Sequence, residues 1–95
     1  MILKIDKKNL DNVIRLEKKY WKTGDTDYLD AQKKYLDYIE DEIKRQTKIA
    51  HHYFWGICEL LSFFARFNFT YQKIYDFLKI VGYEVINNEV KTNDY

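Results

Sequence analysis

Two histidines and the only cysteine of the chain fall within eight consecutive positions, as His51, His52 and Cys58. Imidazole and thiolate groups are common zinc ligands, and a cysteine beside a histidine can act as a nucleophile. On a helix, however, adjacent residues point about 100° apart, and residues seven positions apart are separated by roughly 10 Å along the axis. We therefore predict no metal site and no cofactor.

Cys58 stands in an apolar run with Ile57 and Leu60. In such a run a free cysteine behaves as a small hydrophobic residue rather than as a nucleophile. A single cysteine also excludes an internal disulfide, and it favours a reducing compartment. We expect an unreactive thiol and a cytoplasmic location.

A cluster of carboxylates in the second predicted helix could do acid–base chemistry. Its members are Asp37, Glu40, Asp41 and Glu42. Glu40 with Lys44 and Asp41 with Arg45 are i,i+4 pairs in the favoured order, which indicates a solvated, ion-paired helix face. The sequence contains no glycine-rich phosphate loop and no Ser-His-Asp arrangement. We therefore predict that the protein is not an enzyme.

The elements that position these side chains are mostly helices. Hydrophobic periodicity and capping residues predict a small, mainly α domain over 1–95, with three or four helices and a short C-terminal β-hairpin. The predicted elements are helix one at 6–22, helix two at 27–48, a buried helix at 49–66, a last helix at 70–81 and a hairpin at 83–91. Residues 2–5 could add a strand, and whether 27–66 form one helix or two stays open.

Two capping residues and one apolar face help to define the predicted helices. Gly24 is the expected left-handed end of helix one, and Thr70 is the expected N-cap of the last helix. The predicted inner face of the last helix comprises Ile74, Phe77, Leu78 and Val81.

Composition limits the function classes. The 95 residues carry a formal net charge of +1, which argues against a surface coated for nucleic-acid binding. Residues 49–83 hold 11 of the 17 aromatic residues and only five charged ones, so they should form the packed body. The apolar run at 49–65 is shorter than the about 20 residues that a membrane span needs, so no membrane role is predicted. Abundant Lys, Ile, Asn, Tyr and Phe indicate an AT-rich genome, such as that of a low-GC bacterium or its phages.

Helix two carries an apolar stripe with a seven-residue period. The repeating residues are Leu29, Leu36, Ile43 and Ala50, and Ile39, three residues after Leu36, joins the stripe. Such a stripe is typical of an antiparallel hairpin with helix one, and a homodimer seam is the alternative.

Aromatic and basic residues alternate along helices one and two. Tyrosine and tryptophan at a surface are enriched in protein-interface hot spots. The predicted partner-binding residues are Tyr20, Trp21, Tyr28, Tyr35, Tyr38, Lys33 and Lys34. The same mixture could stack on single-stranded nucleic acid, or the rings could simply cover the helical hairpin.

The segment 57–91 resembles a winged helix-turn-helix in the order of its elements: helix, turn, helix, then a Gly-Tyr-Glu-Val strand and hairpin. The resemblance implies that the second helix would enter the major groove and the hairpin would contact phosphate. The DNA-binding residues would then be Thr70, Gln72, Lys73, Lys79 and Lys91. Two features depart from that pattern, namely an aromatic turn (Phe67, Phe69) and only two lysines on the second helix.

These observations together predict a small, non-enzymatic intracellular binding protein, encoded by a phage or another mobile element. It would dock on a protein partner as an inhibitor or accessory factor. The alternative is a winged helix-turn-helix DNA-binding protein.

Overall fold

The computed structural model describes residues 2–87, which are mainly α-helical, as predicted. The elements in chain order are β1 (Leu3–Asp6), α1 (Lys7–Thr23), α2 (Asp27–Gln46), α3 (Ala50–Arg66), α4 (Tyr71–Ile80) and β2 (Tyr83–Ile86). The question left open by the sequence is answered at Thr47. This residue has an extended backbone (φ −154°), so α2 and α3 are separate helices.

Capping residues end α1 and begin α4 at the positions predicted from the sequence. Gly24 has a φ of 76°, and its N–H donates to the Tyr20 carbonyl 2.7 Å away, which closes α1. Thr70 caps α4, because its Oγ1 accepts a hydrogen bond from the Lys73 N–H at 3.3 Å. Between α3 and α4, Asn68 takes a positive φ of 55°, a conformation that asparagine tolerates.

The first two helices pack against each other as a hairpin, and the apolar stripe of α2 lies inside this chain. Ile39 and Ile43 are 0% exposed and belong to the core with Leu10 and Ile14 of α1. The alternative prediction was a homodimer seam through Leu29, Leu36, Ile39 and Ile43. It is wrong for the two isoleucines, because their side chains are already buried within one chain. Leu29 and Leu36 are half-buried.

A buried polar contact sets how α1 and α2 pack. Gln32 is buried on α2, and its Nε2 donates to the Val13 carbonyl at 3.1 Å and to Glu17 Oε1 at 2.7 Å. A buried amide without such partners would be costly, so these bonds favour one arrangement of the two helices.

The two strands pair in parallel, with Leu3 opposite Tyr83 and Asp6 opposite Ile86. The predicted N-terminal strand is thus present, one residue later than expected. The predicted strand after Gly82 is also present, and its neighbour within residues 2–87 is β1. The remainder of the predicted hairpin, 89–91, lies outside the described residues.

Helix α4 joins the rest of the molecule through both apolar and polar contacts. Ile74 and Leu78 are buried in the core, whereas Phe77 and Val81, which were predicted to face inward, are about half exposed. Among residues 2–87, no helix combines the length and the apolar character that crossing a bilayer would require.

Candidate functional site

The thiol of Cys58 is half-buried on α3 and unpaired with any other cysteine. Its pKa is raised to about 11, chiefly by burial and in smaller part by the negative charges of Glu17 and Glu40. The group is therefore a protonated thiol near neutral pH, and the nucleophilic form is scarce.

The two histidines are exposed on the first turn of α3 and form a shallow depression with Trp55. His51 and His52 do not converge with enough other ligands to hold a metal. Within the part of the chain that the structure describes, no group of three or more His, Cys, Asp or Glu side chains could hold a metal ion.

The aromatic residues predicted to bind a partner fall into two groups according to their ring contacts. Tyr20 packs edge-on against Trp21 at 5.4 Å between ring centroids, near the end of α1. Tyr35 and Tyr38 form a second pair on α2, with centroids 6.3 Å apart. Tyr28 lies under the Lys19 ammonium group, 5.7 Å from it.

Exposure distinguishes the members of this predicted set. Trp21 is 41% exposed and Tyr38 51%, whereas Tyr20, Tyr28 and Tyr35 are half-buried. Of the half-buried tyrosines, Tyr35 packs against the hydrophobic core. Lys33 and Lys34 are exposed on α2, and the Lys34 ammonium lies 5.0 Å from the Tyr35 ring.

Trp21 is held in one orientation by its neighbours. Its Nε1 donates to Glu17 Oε2 at 3.1 Å, while the other oxygen of Glu17 accepts from Gln32. The guanidinium group of Arg66 lies 5.3 Å from the indole ring, within the range of a cation–π contact. The indole is therefore an exposed aromatic group whose conformation is restrained from two sides.

Trp21 forms part of a cleft between the end of α1 and the end of α3, which we call the cationic cleft. Its volume is about 510 Å³. Its lining residues are Lys18, Lys19, Trp21, Lys22, Ala65, Arg66 and Asn68. Four of these carry positive charge and none is acidic.

The four cations of the cationic cleft are not equivalent. Lys18 donates from Nζ to the Phe69 carbonyl and lies 4.9 Å from the Tyr71 ring, and burial lowers its pKa. It therefore stabilises the turn between α3 and α4. Lys19, Lys22 and Arg66 are exposed, so they can meet an external anion.

An apolar area adjoins the cationic cleft, and we call it the phenylalanine surface. It comprises Phe63, Phe67, Phe69, Phe77 and Ile80. Phe67 is 57% exposed and Ile80 78%. The rings contact each other: the Phe63 centroid lies 4.9 Å from that of Phe67 and 6.1 Å from that of Phe69. Phe69 in turn lies 6.0 Å from Phe77.

A groove of about 430 Å³ crosses this surface, between the α3–α4 turn and the outer side of α4. It is lined by Phe69, Lys73, Asp76, Phe77 and Ile80. Arg66 connects the surface with the cationic cleft, because its guanidinium lies 5.6 Å from the Phe67 ring as well as 5.3 Å from Trp21.

The phenylalanine surface was not predicted from the sequence, because the sequence pattern places every phenylalanine of this region in the core or in a turn. The signal was present in the helical periodicity. Ile57, Leu61 and Phe64 repeat every three to four residues and define the buried face of α3. Phe63 and Phe67 are four residues apart on another face.

The residues predicted to bind DNA lie on α4 and just before it. The Thr70 hydroxyl serves as the N-cap, and Gln72 Nε2 donates to Asp76 Oδ1 at 3.0 Å. Lys73 and Lys79 are exposed, and Lys91 lies outside the described residues. Exposed Phe77 and Ile80 lie beside Lys73 and Asp76 on the outward side of α4, which makes that side less basic and more apolar than a phosphate-binding helix.

No family model, no curated protein and no solved structure matches this chain.

Proposed function

We propose that this protein is a non-catalytic docking protein that binds a protein partner through the cationic cleft and the phenylalanine surface. The observation that carries the proposal is the contact of Arg66 with both Trp21 and Phe67, which joins two exposed sets of rings into one surface. Contiguous exposed apolar area of this kind marks interaction sites in globular proteins.

The residue types also support protein binding. Trp, Phe and Arg are enriched at the centres of protein interfaces, and Trp and Arg dominate hot spots. Trp21 is restrained by Glu17 and Arg66 before any partner arrives. A restrained side chain loses less conformational entropy on binding, so it contributes more net affinity.

Inhibitors and accessory factors act by this kind of stoichiometric docking, and we propose that this protein belongs to that class. A protonated, half-buried Cys58 fits a cytoplasmic setting, where thiols stay reduced. The abundance of Lys, Ile, Asn, Tyr and Phe, whose codons are AT-rich, suggests a phage or mobile element of a low-GC bacterium as the source.

Affinity capture with matched variants tests the docking proposal. The full chain, the double variant Phe63→Ala/Phe67→Ala and the control Trp55→Ala would each be immobilised and exposed to lysate of a low-GC bacterium. Trp55 is similarly exposed but lies at the histidine end of α3. We expect quantitative mass spectrometry to find a protein retained by the wild type and Trp55→Ala and lost from the double variant. Equal retention of proteins by the wild type and by Phe63→Ala/Phe67→Ala would refute the proposal, provided that circular dichroism shows that all three chains are folded.

A DNA-binding function is the second candidate, and the exposure of Lys73 and Lys79 on the helix after the turn favours it. Fluorescence anisotropy with random duplex DNA at low and moderate salt separates the two candidates. Several phosphate contacts would make binding fall steeply with salt, and Lys73→Glu/Lys79→Glu would abolish it. The protein-docking proposal expects no such binding.

A further inference from the structure

We infer that the partner segment is an acidic amphipathic helix, whose apolar side chains contact the phenylalanine surface and whose carboxylates face the cationic cleft. This inference rests on the proposed docking function and names the chemistry of the occupant.

The charge of the cationic cleft selects an acidic occupant. The whole chain has a net charge of only +1, yet four of the seven residues that line the cleft are cationic. Glu17 lies behind Trp21, and both its oxygens already accept hydrogen bonds from Trp21 and Gln32. Within residues 2–87, Lys19, Lys22 and Arg66 form no ion pair, so these exposed side chains present positive charge to the solvent, and a basic partner would be repelled.

The phenylalanine surface requires that the same occupant be apolar on one side. The groove between Phe69, Phe77 and Ile80 can receive an aliphatic or aromatic side chain, and it carries one cation, Lys73, and one anion, Asp76. A highly charged polymer with no apolar side would leave the exposed rings of Phe63 and Phe67 in water. A segment with one acidic face and one apolar face complements the cationic cleft and the phenylalanine surface at the same time.

The backbone around the site favours a helical rather than an extended occupant. The cationic cleft and the phenylalanine surface are built by α1, α3, α4 and the turn between the last two. Helical N–H and C=O groups bond within their own helices, so this surface offers no strand edge with which an extended peptide could pair. Recognition must then use side chains, and an amphipathic helix in a groove presents anchors at i, i+3, i+4 and i+7.

Ring packing distinguishes this surface from a platform for nucleic-acid bases. Stacking of a base needs an open ring face. Here the Phe63 ring contacts Phe64, Phe67 and Phe69, and the Arg66 guanidinium lies over Trp21 and Phe67. Neighbouring groups therefore already contact these rings, which leaves less ring area for stacking of a base and an apolar surface that aliphatic side chains can contact.

Fluorescence anisotropy with designed peptides tests the inference on the full chain. The probe is a labelled peptide of about 18 residues, or five helical turns, with Leu at the i, i+3, i+4, i+7 positions and Glu elsewhere. A scrambled peptide of the same composition and poly-L-glutamate serve as controls for the pattern and the charge. We expect the wild type to bind the amphipathic peptide at least tenfold more tightly than either control.

Two double variants assign that binding to the surface. Lys22→Glu/Arg66→Glu removes the exposed cations of the cleft, and Phe67→Ala/Phe77→Ala removes two exposed rings. We expect each to weaken binding at least tenfold. Arg45→Glu/Lys48→Glu makes the same change in charge at and just after the C-terminal end of α2, where both side chains are exposed, and should leave binding unchanged. Chemical denaturation of each variant verifies that it is folded at the assay temperature.

Several results would overturn the inference. They are absence of binding by the wild type, equal binding of the scrambled peptide, or an equal loss of binding in Arg45→Glu/Lys48→Glu. Tighter binding of a single-stranded oligonucleotide or of phosphatidylglycerol vesicles, abolished by Lys22→Glu/Arg66→Glu, would also overturn it. A different result would separate the two proposals. If affinity capture finds a partner whose binding requires Phe63 and Phe67, but the acidic amphipathic peptide does not compete with that partner, the docking proposal stands and only the inference of an acidic helix is refuted.

Discussion

Tyr75 of α4 and Asp11 of α1 form the polar contact that ties the last helix to the first. The Tyr75 hydroxyl donates to Asp11 Oδ1, and Lys7 Nζ lies 2.9 Å from the other carboxylate oxygen. Burial raises the pKa of Tyr75, and the hydrogen bond to Asp11 raises it further. The hydroxyl therefore stays a donor throughout the neutral range.

Replacement of Tyr75 by Phe should lower the free energy of unfolding by about 1–2 kcal/mol, because a hydrogen bond to a charged group is lost. Urea denaturation at pH 7 measures this change. Tyr38→Phe is the matched control, since that side chain is 51% exposed, and it should change the free energy by less than about 0.5 kcal/mol. Equal effects of the two substitutions would contradict the assigned role of the Asp11 contact.

Cys58 should resist alkylation in the folded state. Its pKa is raised from 9.0 to about 11 chiefly by burial, so little thiolate exists near pH 7.5. Mass spectrometry after iodoacetamide treatment should find slow labelling that accelerates as the pH approaches 11 and becomes fast in guanidinium. Labelling of the native protein as fast as of the unfolded chain would contradict this expectation.

The same shift predicts how Cys58 affects stability at alkaline pH. The folded state holds the thiol proton more tightly than the unfolded state. The resulting contribution of Cys58 to the free energy of unfolding is therefore complete below pH 9 and is lost as the pH rises toward 11. Cys58→Ala should therefore flatten the decline in the free energy of unfolding over this interval. An unchanged slope would mean that other groups cause the decline.

At the scale of elements, β1 is held on both sides although the sheet has only two strands within residues 2–87. β2 pairs with one edge. On the other edge, the Gln46 side chain accepts from the Lys4 N–H at 2.7 Å and donates to the Lys4 carbonyl at 2.8 Å. Glu42 Oε1 also accepts from the Asp6 N–H at 3.4 Å. Side chains of α2 thus take the place of a third strand.

Gln46→Ala should loosen β1 specifically. Hydrogen exchange of the Lys4 amide should accelerate severalfold, and the free energy of unfolding should fall by about 1 kcal/mol, since water replaces part of the lost bonding. Gln72→Ala, which removes an exposed amide on α4, is the control and should leave Lys4 exchange unchanged. A similar acceleration in both variants would show that β1 does not depend on α2.

At the scale of the whole molecule, one core joins all four helices and both strands described by the structure. The α2 stripe that could have formed a seam between two chains fills this core instead. Ile39 and Ile43 pack with residues of α1, α3 and β1 within the same chain. Stability should therefore be a property of the single chain.

Ile39→Ala should lower the free energy of unfolding by about 2–5 kcal/mol, as expected for a large-to-small change at a fully buried site. The loss should not depend on protein concentration, and thermal denaturation over a hundredfold concentration range measures this. Leu29→Ala, at a half-buried position of the same stripe, should cost less. A denaturation midpoint that rises with concentration would instead indicate that association between chains stabilises the fold.

Much of the fold could be predicted because its signals are local. The ends of α1 and α4 follow from Gly24 and Thr70, each of which satisfies backbone groups within a few residues. The break between α2 and α3 could not be predicted, because no glycine or proline marks Thr47. The proposed docking surface was predicted least completely: Trp21 was named as a partner-binding residue, but Arg66 and the phenylalanine surface were not.

The sequence by itself determined the mainly helical class, the ends of α1 and α4 to within a few residues and the chemically unpromising setting of Cys58, because periodicity and capping act over one or two turns. Only the tertiary structure decided that Leu3 pairs with Tyr83, that Ile39 and Ile43 face inward within one chain, and that Phe63 and Phe67 remain exposed. The physical reason is that a core of this size can enclose only part of 17 aromatic rings. Which rings are left outside depends on how distant helices pack, and no short stretch of sequence specifies that.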